Sequence, residues 1–226
     1  MKYKAAVMGA ETIFYTPSIF PLHLLPRIEE MFAFEGYEIT PSRLNALIST
    51  KLNEREKHLS SSFNELKLTL IVGNVLEDLE IEDIELQMKV VDLVASELKA
   101  QIQPLQGAQE FLSSLKDAGL KMAVLWNSPF GMPHYYISER LEALSLRQMF
   151  DDMQFSTENG IVRPHARPAR FALSNIDVSP CDAIALTGLQ ADLQVFQKIR
   201  IGHVFLCDER GTGKYEAIYE EVLKSL

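Results

Sequence analysis

Short apolar runs alternate with amphipathic segments along most of the chain, a pattern that predicts an α/β fold. Five runs are strand candidates: residues 4–8, 121–126, 153–156, 183–187 and 203–207. Several of them are too uniformly apolar for one face of the strand to meet water, as in buried parallel sheets. Helical periodicity of about 3.6 residues is found at residues 108–118, 137–144, 168–175, 193–198 and 215–223. This succession predicts a parallel sheet with right-handed crossovers and helices on both faces.

A long helical segment interrupts the alternation after the first strand. Residues 15–103 show helical periodicity and no convincing strand alternation. Thr40 and Pro41 indicate one helix start, with a hydroxyl N-cap followed by proline. Asp83 indicates another, followed by an apolar stripe: Ile84, Met88, Val91, Val94 and Ala95. We therefore expect two domains, an α/β core formed by residues 1–14 and 104–226 and an inserted helical cap formed by residues 15–103.

Composition and charge narrow the class of partner. The 226 residues are 47% hydrophobic and 23% charged, enough for one sizeable core with an inserted subdomain. The net charge of -9 argues against a nucleic acid or an anionic membrane as the main partner. An acidic run at residues 77–85 is either a partner-facing patch or a set of solvated carboxylates near a helix N-terminus.

The N-terminal residues and the hydropathy predict a cytoplasmic protein. No run approaches the roughly 18 apolar residues of a membrane span. The first four residues lead into a strand and not into the apolar core of a signal peptide.

Two further patterns are interpreted as structural. Cys181 and Cys207 form neither a C-x-x-C pair nor a cluster with histidine, so we expect reduced and mostly buried thiols. The string GTGK at residues 211–214 superficially suggests a phosphate loop, but the first glycine and the final hydroxyl residue of that motif are missing. A turn before the last helix is expected there.

An ordered series of short strings identifies a family resemblance. The series is PLQGAQEFL at 104–112, LKDAGLK at 115–121, NS at 127–128, RLEAL at 140–144, MFD at 149–151, the stretch 156–164, RF at 170–171 and VSP at 178–180 before the run 183–188. In order and spacing it resembles the haloacid dehalogenase-like superfamily. The resemblance implies a Rossmannoid core with a parallel sheet flanked by helices, and a helical cap inserted after the first strand.

The resemblance implies a nucleophilic aspartate at the end of the first strand and an acid/base aspartate two residues later. These positions are Gly9, which has no side chain, and Glu11, whose carboxylate stands one methylene further out. Attack at this site would therefore lack its nucleophile. Glu11 is either a residual acid/base group or a solvated or lysine-paired carboxylate without a role in chemistry.

The second family position implies a hydroxyl residue that binds the phosphoryl group, and it falls at Trp126. An indole is far larger and offers a single N–H, so Trp126 is expected to obstruct the phosphoryl pocket. It could also be a stacking platform for a planar ligand or a core-filling side chain. Asn127 fits the family pattern, and Ser128 could supply a hydroxyl from a shifted place.

The remaining family positions concern charge. The resemblance implies a lysine before proline at the position of Arg163. This arginine could clamp an anion, or it could pair with a carboxylate such as Glu11 or Asp192. A magnesium-binding acidic pair is implied after the strand 183–187, where the chain has Leu189 and then Asp192. Leucine cannot ligate a hard cation and Gly9 offers no carboxylate, so magnesium is not expected at the family site. No other cofactor is expected. Asp192 is a remnant of the pair or an ordinary charge in the first turn of a helix.

These positions together favour a protein without phosphatase or dehalogenase activity that acts as a ligand-binding or regulatory scaffold. We expect its partner to be a small anionic ligand or a protein, with no nucleic acid and no membrane. The expected ligand-binding residues are Glu11, Asn127, Ser128, Arg163 and Asp192. The alternative is a hydrolase with a rebuilt, metal-independent site for a phosphorylated or carboxylated small molecule, with Glu11 as acid/base and Arg163 as anion anchor.

Overall fold

A five-stranded parallel sheet forms the centre of the computed structural model, which describes residues 3–207 and 213–224. The strand order is β5-β4-β1-β6-β7. Its members are β1 (Ala5–Gly9), β4 (Lys121–Trp126), β5 (Asp152–Phe155), β6 (Ala183–Thr187) and β7 (His203–Leu206). The predicted bounds of β4 and β6 are confirmed, and those of β1, β5 and β7 differ by one residue. The predicted fold class is confirmed.

Helices cover both faces of the sheet, as the uniformly apolar strands require. Ala6 and Met8 of β1 face one hydrophobic cluster, whereas Ala5 and Val7 face the other. The first cluster includes residues of α5 (Ala108–Asp117), α6 (His134–Ala143) and α10 (Gly213–Lys224). The second includes residues of α8 (Ala166–Asn175) and α9 (Gln190–Lys198), and the one-turn helix α7 (Ser156–Asn159) follows β5.

Residues 15–103 contain four α-helices: α1 (Leu25–Phe34), α2 (Pro41–Ser62), α3 (Leu68–Asp78) and α4 (Ile84–Gln101). The two predicted helix starts are confirmed, because the Thr40 side chain accepts a hydrogen bond from the Arg43 N–H and the Asp83 side chain from the Leu86 N–H.

The apolar stripe predicted for α4 is wrong at its first two positions. Ile84 and Met88 are 78% and 45% exposed, whereas Val91, Val94 and Ala95 are buried as predicted. The buried face begins instead with Leu86 and continues through Val90, Val94 and Leu98. This row has the i, i+4 spacing of side chains that lie one above the other on a helix. Ile84 and Met88 therefore lie on the exposed face of α4 and not on its buried face.

The segment predicted as wholly helical begins and ends on strand residues. β2 (Phe14–Tyr15) pairs with β3 (Gln103–Pro104) in an antiparallel ladder. The ladder joins the chain entering the helical insert to the chain leaving it. Two residues are too few to produce an alternating pattern, so the sequence carried no signal for it. The division into a cap and a core at residues 15 and 103 stays a prediction.

A backbone contact also joins the insert to the core. Asn64 and Ile161 form an antiparallel bridge. On either side of it, the Glu65 N–H donates to the Gly160 carbonyl at 3.0 Å and the Val162 N–H donates to the Phe63 carbonyl at 2.9 Å. We call this pairing of residues 63–65 with residues 160–162 the clamp.

Other predictions meet mixed outcomes. Cys181 and Cys207 are not joined in a disulfide, but the expectation of burial is wrong, since Cys181 is exposed and Cys207 partly exposed. Cys181 lies in the turn before β6, and Cys207 follows the edge strand β7. The GTGK string begins outside the described residues. No helix in residues 3–207 and 213–224 combines the length and the apolar composition of a membrane span.

Two glycines with nearly the same backbone angle allow a matched test of how closely the insert approaches the core. Gly131 has φ +71° and Gly160 has φ +72°. A Cβ on Gly131 would lie 2.1 Å from the Leu66 carbonyl oxygen, whereas a Cβ on Gly160 would meet no atom within 4 Å.

We predict that Gly160→Ala lowers the free energy of unfolding by roughly 1–2 kcal/mol through the left-handed backbone alone. Gly131→Ala should lower it by about 1–3 kcal/mol more, because backbone atoms must move apart. Urea unfolding of both variants measures the difference. Equal losses would contradict the close approach of residues 66–68 to the turn at Gly131.

Candidate functional site

The carboxyl edge of the sheet gathers most of the residues singled out in the sequence. Gly9 ends β1, Asn127 follows β4 and Gly188 follows β6. Arg163, in the loop after α7, reaches the same edge, where its side chain contacts Glu11 and Asp192. Parallel strands bring their carboxyl ends together at a sheet edge, where ligands of such folds bind.

Gly9 lies where two charged side chains leave no room for a third. Its φ of -67° and ψ of 133° suit any amino acid, so the backbone does not demand glycine. A Cβ there would lie 2.1 Å from Nη1 of Arg163 and 2.3 Å from Oε1 of Glu11. The space into which a nucleophile at this position would extend is filled by these two side chains.

Arg163, Glu11 and Asp192 form an ion cluster, which we call the Arg163 cluster. Nη2 of Arg163 lies 2.7 Å from Oε2 of Glu11 and 3.5 Å from Oδ2 of Asp192. The Arg163 and Asp192 side chains are almost fully buried, whereas that of Glu11 is 30% exposed. Of the two roles open to Arg163, pairing with carboxylates is the one present in this structure. Glu11 is paired to this arginine, and none of the described lysine side chains pairs with it.

Asp192 is held on the other side by the hydroxyl of Thr187, which donates to Oδ2 at 2.6 Å. Burial raises the pKa of Asp192 above its ordinary value of 3.8, and the Arg163 guanidinium and the Thr187 hydroxyl act in the opposite direction. A carboxylate buried to this extent is more than an ordinary solvated charge at a helix start. Its ionised form depends on the guanidinium beside it.

Asn127 fixes the backbone of Arg163 in both directions. Its Oδ1 accepts from the Arg163 N–H at 2.8 Å, and its Nδ2 donates to the Arg163 carbonyl at 3.3 Å. Nη1 of Arg163 also donates to the Leu125 carbonyl at 3.4 Å. Asn127 therefore contributes to the site by positioning the arginine.

Trp126 does not obstruct the site, contrary to the prediction. Its side chain is 1% exposed and stacks on Phe14 with 4.9 Å between ring centroids. β4 alternates its side chains between the two sheet faces, and Trp126 points into the cluster opposite to the one that contains Leu125. The indole is a core-filling group, and the obstruction at Gly9 is an ion pair.

Ser128 and Leu189 are also engaged in local structure. The Ser128 hydroxyl is buried and lies 3.1 Å from that of Thr157, and the Ser128 N–H donates to Oγ of Ser156. Leu189 is the N-cap residue of α9, and its N–H donates to the Thr187 hydroxyl. Neither side chain contacts the Arg163 cluster through a hydrogen bond.

A cleft of ≈ 540 Å³ opens beside Arg163 between the insert and the core. Asn127, Ser128 and Arg163 line it from the core, and Arg55 and Phe63 line it from the insert. Its volume is in the range of small-molecule sites.

Sequence reasoning missed the polar network behind this cleft. Arg55 is buried and donates from Nη2 to Oε1 of Glu65 at 2.9 Å. The Glu65 side chain is fully buried and accepts from the Ser156 hydroxyl through its other oxygen. Arg55 lies in a polar stretch of α2 that resembles any solvated helix face, so nothing local marked it. Thr187, by contrast, was visible as a hydroxyl residue that ends an apolar strand.

No group of three or more His, Cys, Asp or Glu side chains in residues 3–207 and 213–224 is arranged to hold a metal ion.

Comparisons with known proteins agree with this architecture. The family model described as haloacid dehalogenase-like hydrolase matches residues 27–204. A phosphatase of this superfamily from Thermococcus onnurineus is 15% identical with a TM-score of 0.61, covering 92% of this chain and 89% of its own. A dehalogenase is 19% identical with a TM-score of 0.55 and coverages of 99% and 97%.

An L-2-haloacid dehalogenase from Xanthobacter autotrophicus, with chloropropionic acid covalently bound, is 14% identical with a TM-score of 0.51 and coverages of 89% and 76%. At these identities the structures share the fold with this chain. No curated protein matches the sequence.

The Arg163 cluster generates a pH-dependent prediction. Arg163→Met removes the guanidinium and leaves Asp192 buried without its cation, which should lower the free energy of unfolding by about 3–5 kcal/mol at pH 8. Burial already raises the pKa of Asp192, and losing Arg163 raises it further. A carboxyl whose pKa is raised by folding contributes stability below its ordinary pKa of 3.8 and loses it as the pH rises.

The deficit of Arg163→Met relative to the parent protein should therefore shrink as the pH is lowered from 8 towards 4. Urea unfolding across this range measures it. Arg170→Met, which removes an exposed arginine on α8, is the matched control and should show a small, pH-independent change. A deficit of Arg163→Met that stays constant with pH would contradict the dependence of Asp192 on this guanidinium.

Proposed function

Because the chain belongs to the haloacid dehalogenase-like hydrolase family, and an ion pair fills the space of the family nucleophile, we propose that it is a non-catalytic member that acts as a binding or regulatory scaffold. The observation that carries the proposal is the position of Arg163 and Glu11 within 2.1 and 2.3 Å of a Cβ on Gly9. A guanidinium at this place also cannot attack phosphorus or carbon, since it stays protonated at accessible pH.

The proposed function does not include a bound magnesium ion. The ion prefers carboxylate oxygens in near-ideal octahedral geometry. Here the space beside Gly9 holds a guanidinium, Leu189 offers no oxygen from its side chain, and Oδ2 of Asp192 already accepts from Thr187. The remaining donors do not fit this cation.

The cleft beside Arg163 is the binding surface in this proposal, and its occupant is a small anionic ligand or a segment of a partner protein. The cleft is lined by fixed polar groups and by aromatic side chains such as Phe63 and Phe130. Such a combination of polar groups and aromatic surface is typical of small-molecule sites.

The alternative function, a metal-independent hydrolase, requires Glu11 to exchange protons and Arg163 to anchor an anion. The 2.7 Å contact between Nη2 of Arg163 and Oε2 of Glu11 counts against this alternative. Each charged group is already paired with the other and is not available to a substrate. The cleft beside them has the volume of a small-molecule site, and for this reason the activity measurements test the alternative as well.

Activity measurements test the proposal directly. The purified chain should show no turnover of p-nitrophenyl phosphate or 2-chloropropionate above a heat-denatured sample, with or without magnesium, because no nucleophile reaches the substrate. Glu11→Gln should behave in the same way. Glu142→Gln, at an exposed carboxylate on α6, serves as the matched control for the loss of one charge.

Two outcomes would contradict the proposal. Magnesium-dependent turnover that Glu11→Gln abolishes and Glu142→Gln retains would demonstrate a working family site. Metal-independent turnover with the same response would establish the rebuilt hydrolase.

A further inference from the structure

The carboxylate of Glu11 is held by donors that would suit any small oxyanion. Oε2 accepts from Nη2 of Arg163 at 2.7 Å, and Oε1 accepts from the Gly188 N–H at 3.0 Å. The Thr187 hydroxyl lies 3.5 Å from Oε1 but 2.6 Å from Asp192, so its proton belongs to Asp192. A guanidinium and a backbone N–H that converge on two oxygens are the groups with which proteins recognise carboxylates and phosphates.

The two halves of this contact differ in how firmly they are held. Asn127 binds the backbone of Arg163 on both sides, and the arginine side chain is 3% exposed. Glu11 lies on the short turn Ala10–Thr12, and its side chain is 30% exposed. A partly exposed side chain changes rotamer readily, whereas the buried arginine keeps its place. The donors therefore remain in position when the Glu11 carboxylate leaves.

The open side of this site is the side of Glu11. Arg163 lines the cleft, whereas Glu11 and Gly188 do not, and the Arg163 side chain is 3% exposed. Because the Glu11 side chain is 30% exposed, an anion from solvent reaches the guanidinium by taking the place of this carboxylate. Nε of Arg163 is buried and has no hydrogen-bond partner among the described residues. Within the described part of the chain, the charged groups that face the guanidinium are Glu11 and Asp192. With Glu11 displaced, Asp192 alone balances the arginine, and an incoming anion replaces the charge that left.

We propose that Glu11 is a built-in ligand, whose carboxylate occupies an oxyanion site formed by the Arg163 guanidinium and the Gly188 N–H, and that a carboxylate or phosphate group of a small molecule binds there by displacing it. This inference rests on the proposed function, because an anion that binds beside Gly9 is held and not turned over. Glu11 thus competes with the ligand, and the apparent Kd of the parent protein is the intrinsic Kd divided by the fraction of molecules with Glu11 displaced.

Removal of the competing carboxylate tests this competition. Glu11→Ala should bind inorganic phosphate, acetate or both at least about tenfold more tightly than the parent protein, the factor expected if Glu11 fills the site in nine of ten molecules. Titration calorimetry at constant ionic strength measures both anions, and the two titrations distinguish a phosphate site from a carboxylate site. Glu11→Gln removes the charge with little change in volume and provides a second measurement if the alanine variant folds poorly.

The controls separate this site from general charge effects and from the proposed function. Glu142→Ala removes a distant exposed carboxylate and should leave both Kd values unchanged. Adding Arg163→Lys to Glu11→Ala should abolish most of the gain, because a lysine lacks the planar fork. Equal Kd values in a folded Glu11 variant and the parent protein, or an equal gain in Glu142→Ala, would overturn the inference. Turnover of a phosphate ester would overturn the proposed function without changing these Kd values.

Discussion

A guanidinium can be buried only where anions accompany it, because an unpaired buried charge costs several kcal/mol. Arg163 meets this requirement at the carboxyl edge of the sheet with two carboxylates, one from the turn after β1 and one from the first turn of α9. The three chain segments that carry these groups are thereby bound to one another. Three features of this edge of the sheet follow from that constraint. Position 9 is a glycine, the Thr187 hydroxyl donates to Asp192, and the Asn127 side chain holds the backbone of Arg163.

The same constraint explains why position 9 and position 163 belong together. A side chain at Gly9 and the guanidinium of Arg163 would claim one volume. The glycine at the first position and the arginine at the second are therefore complementary in shape. Glu11 lies over the same glycine, with its Oε1 2.3 Å from the place of a Cβ on Gly9.

The fold could be predicted from the sequence because it depends on local patterns. The apolar runs of β4 and β6 and the caps at Thr40 and Asp83 are visible within a few residues. The site depends on contacts between distant segments, such as the one between Glu11 and Arg163, 152 positions apart. The resemblance indicated which positions differ from the family pattern, but not that Trp126 turns into the core while Arg163 turns towards Gly9. Side-chain direction at a strand end depends on packing, which a single sequence does not display.

The clamp adds a consequence for the insert as a whole. The insert meets the core at the ladder of β2 and β3, and again where residues 63–65 pair with residues 160–162. An insert that is joined to the core at one place can turn about that place, and a second attachment restrains this rotation. Opening the insert would therefore require breaking backbone hydrogen bonds or exposing the buried Glu65 carboxylate. While both attachments hold, the walls of the cleft keep the separation seen in this structure, so a molecule that enters the cleft has to fit that width.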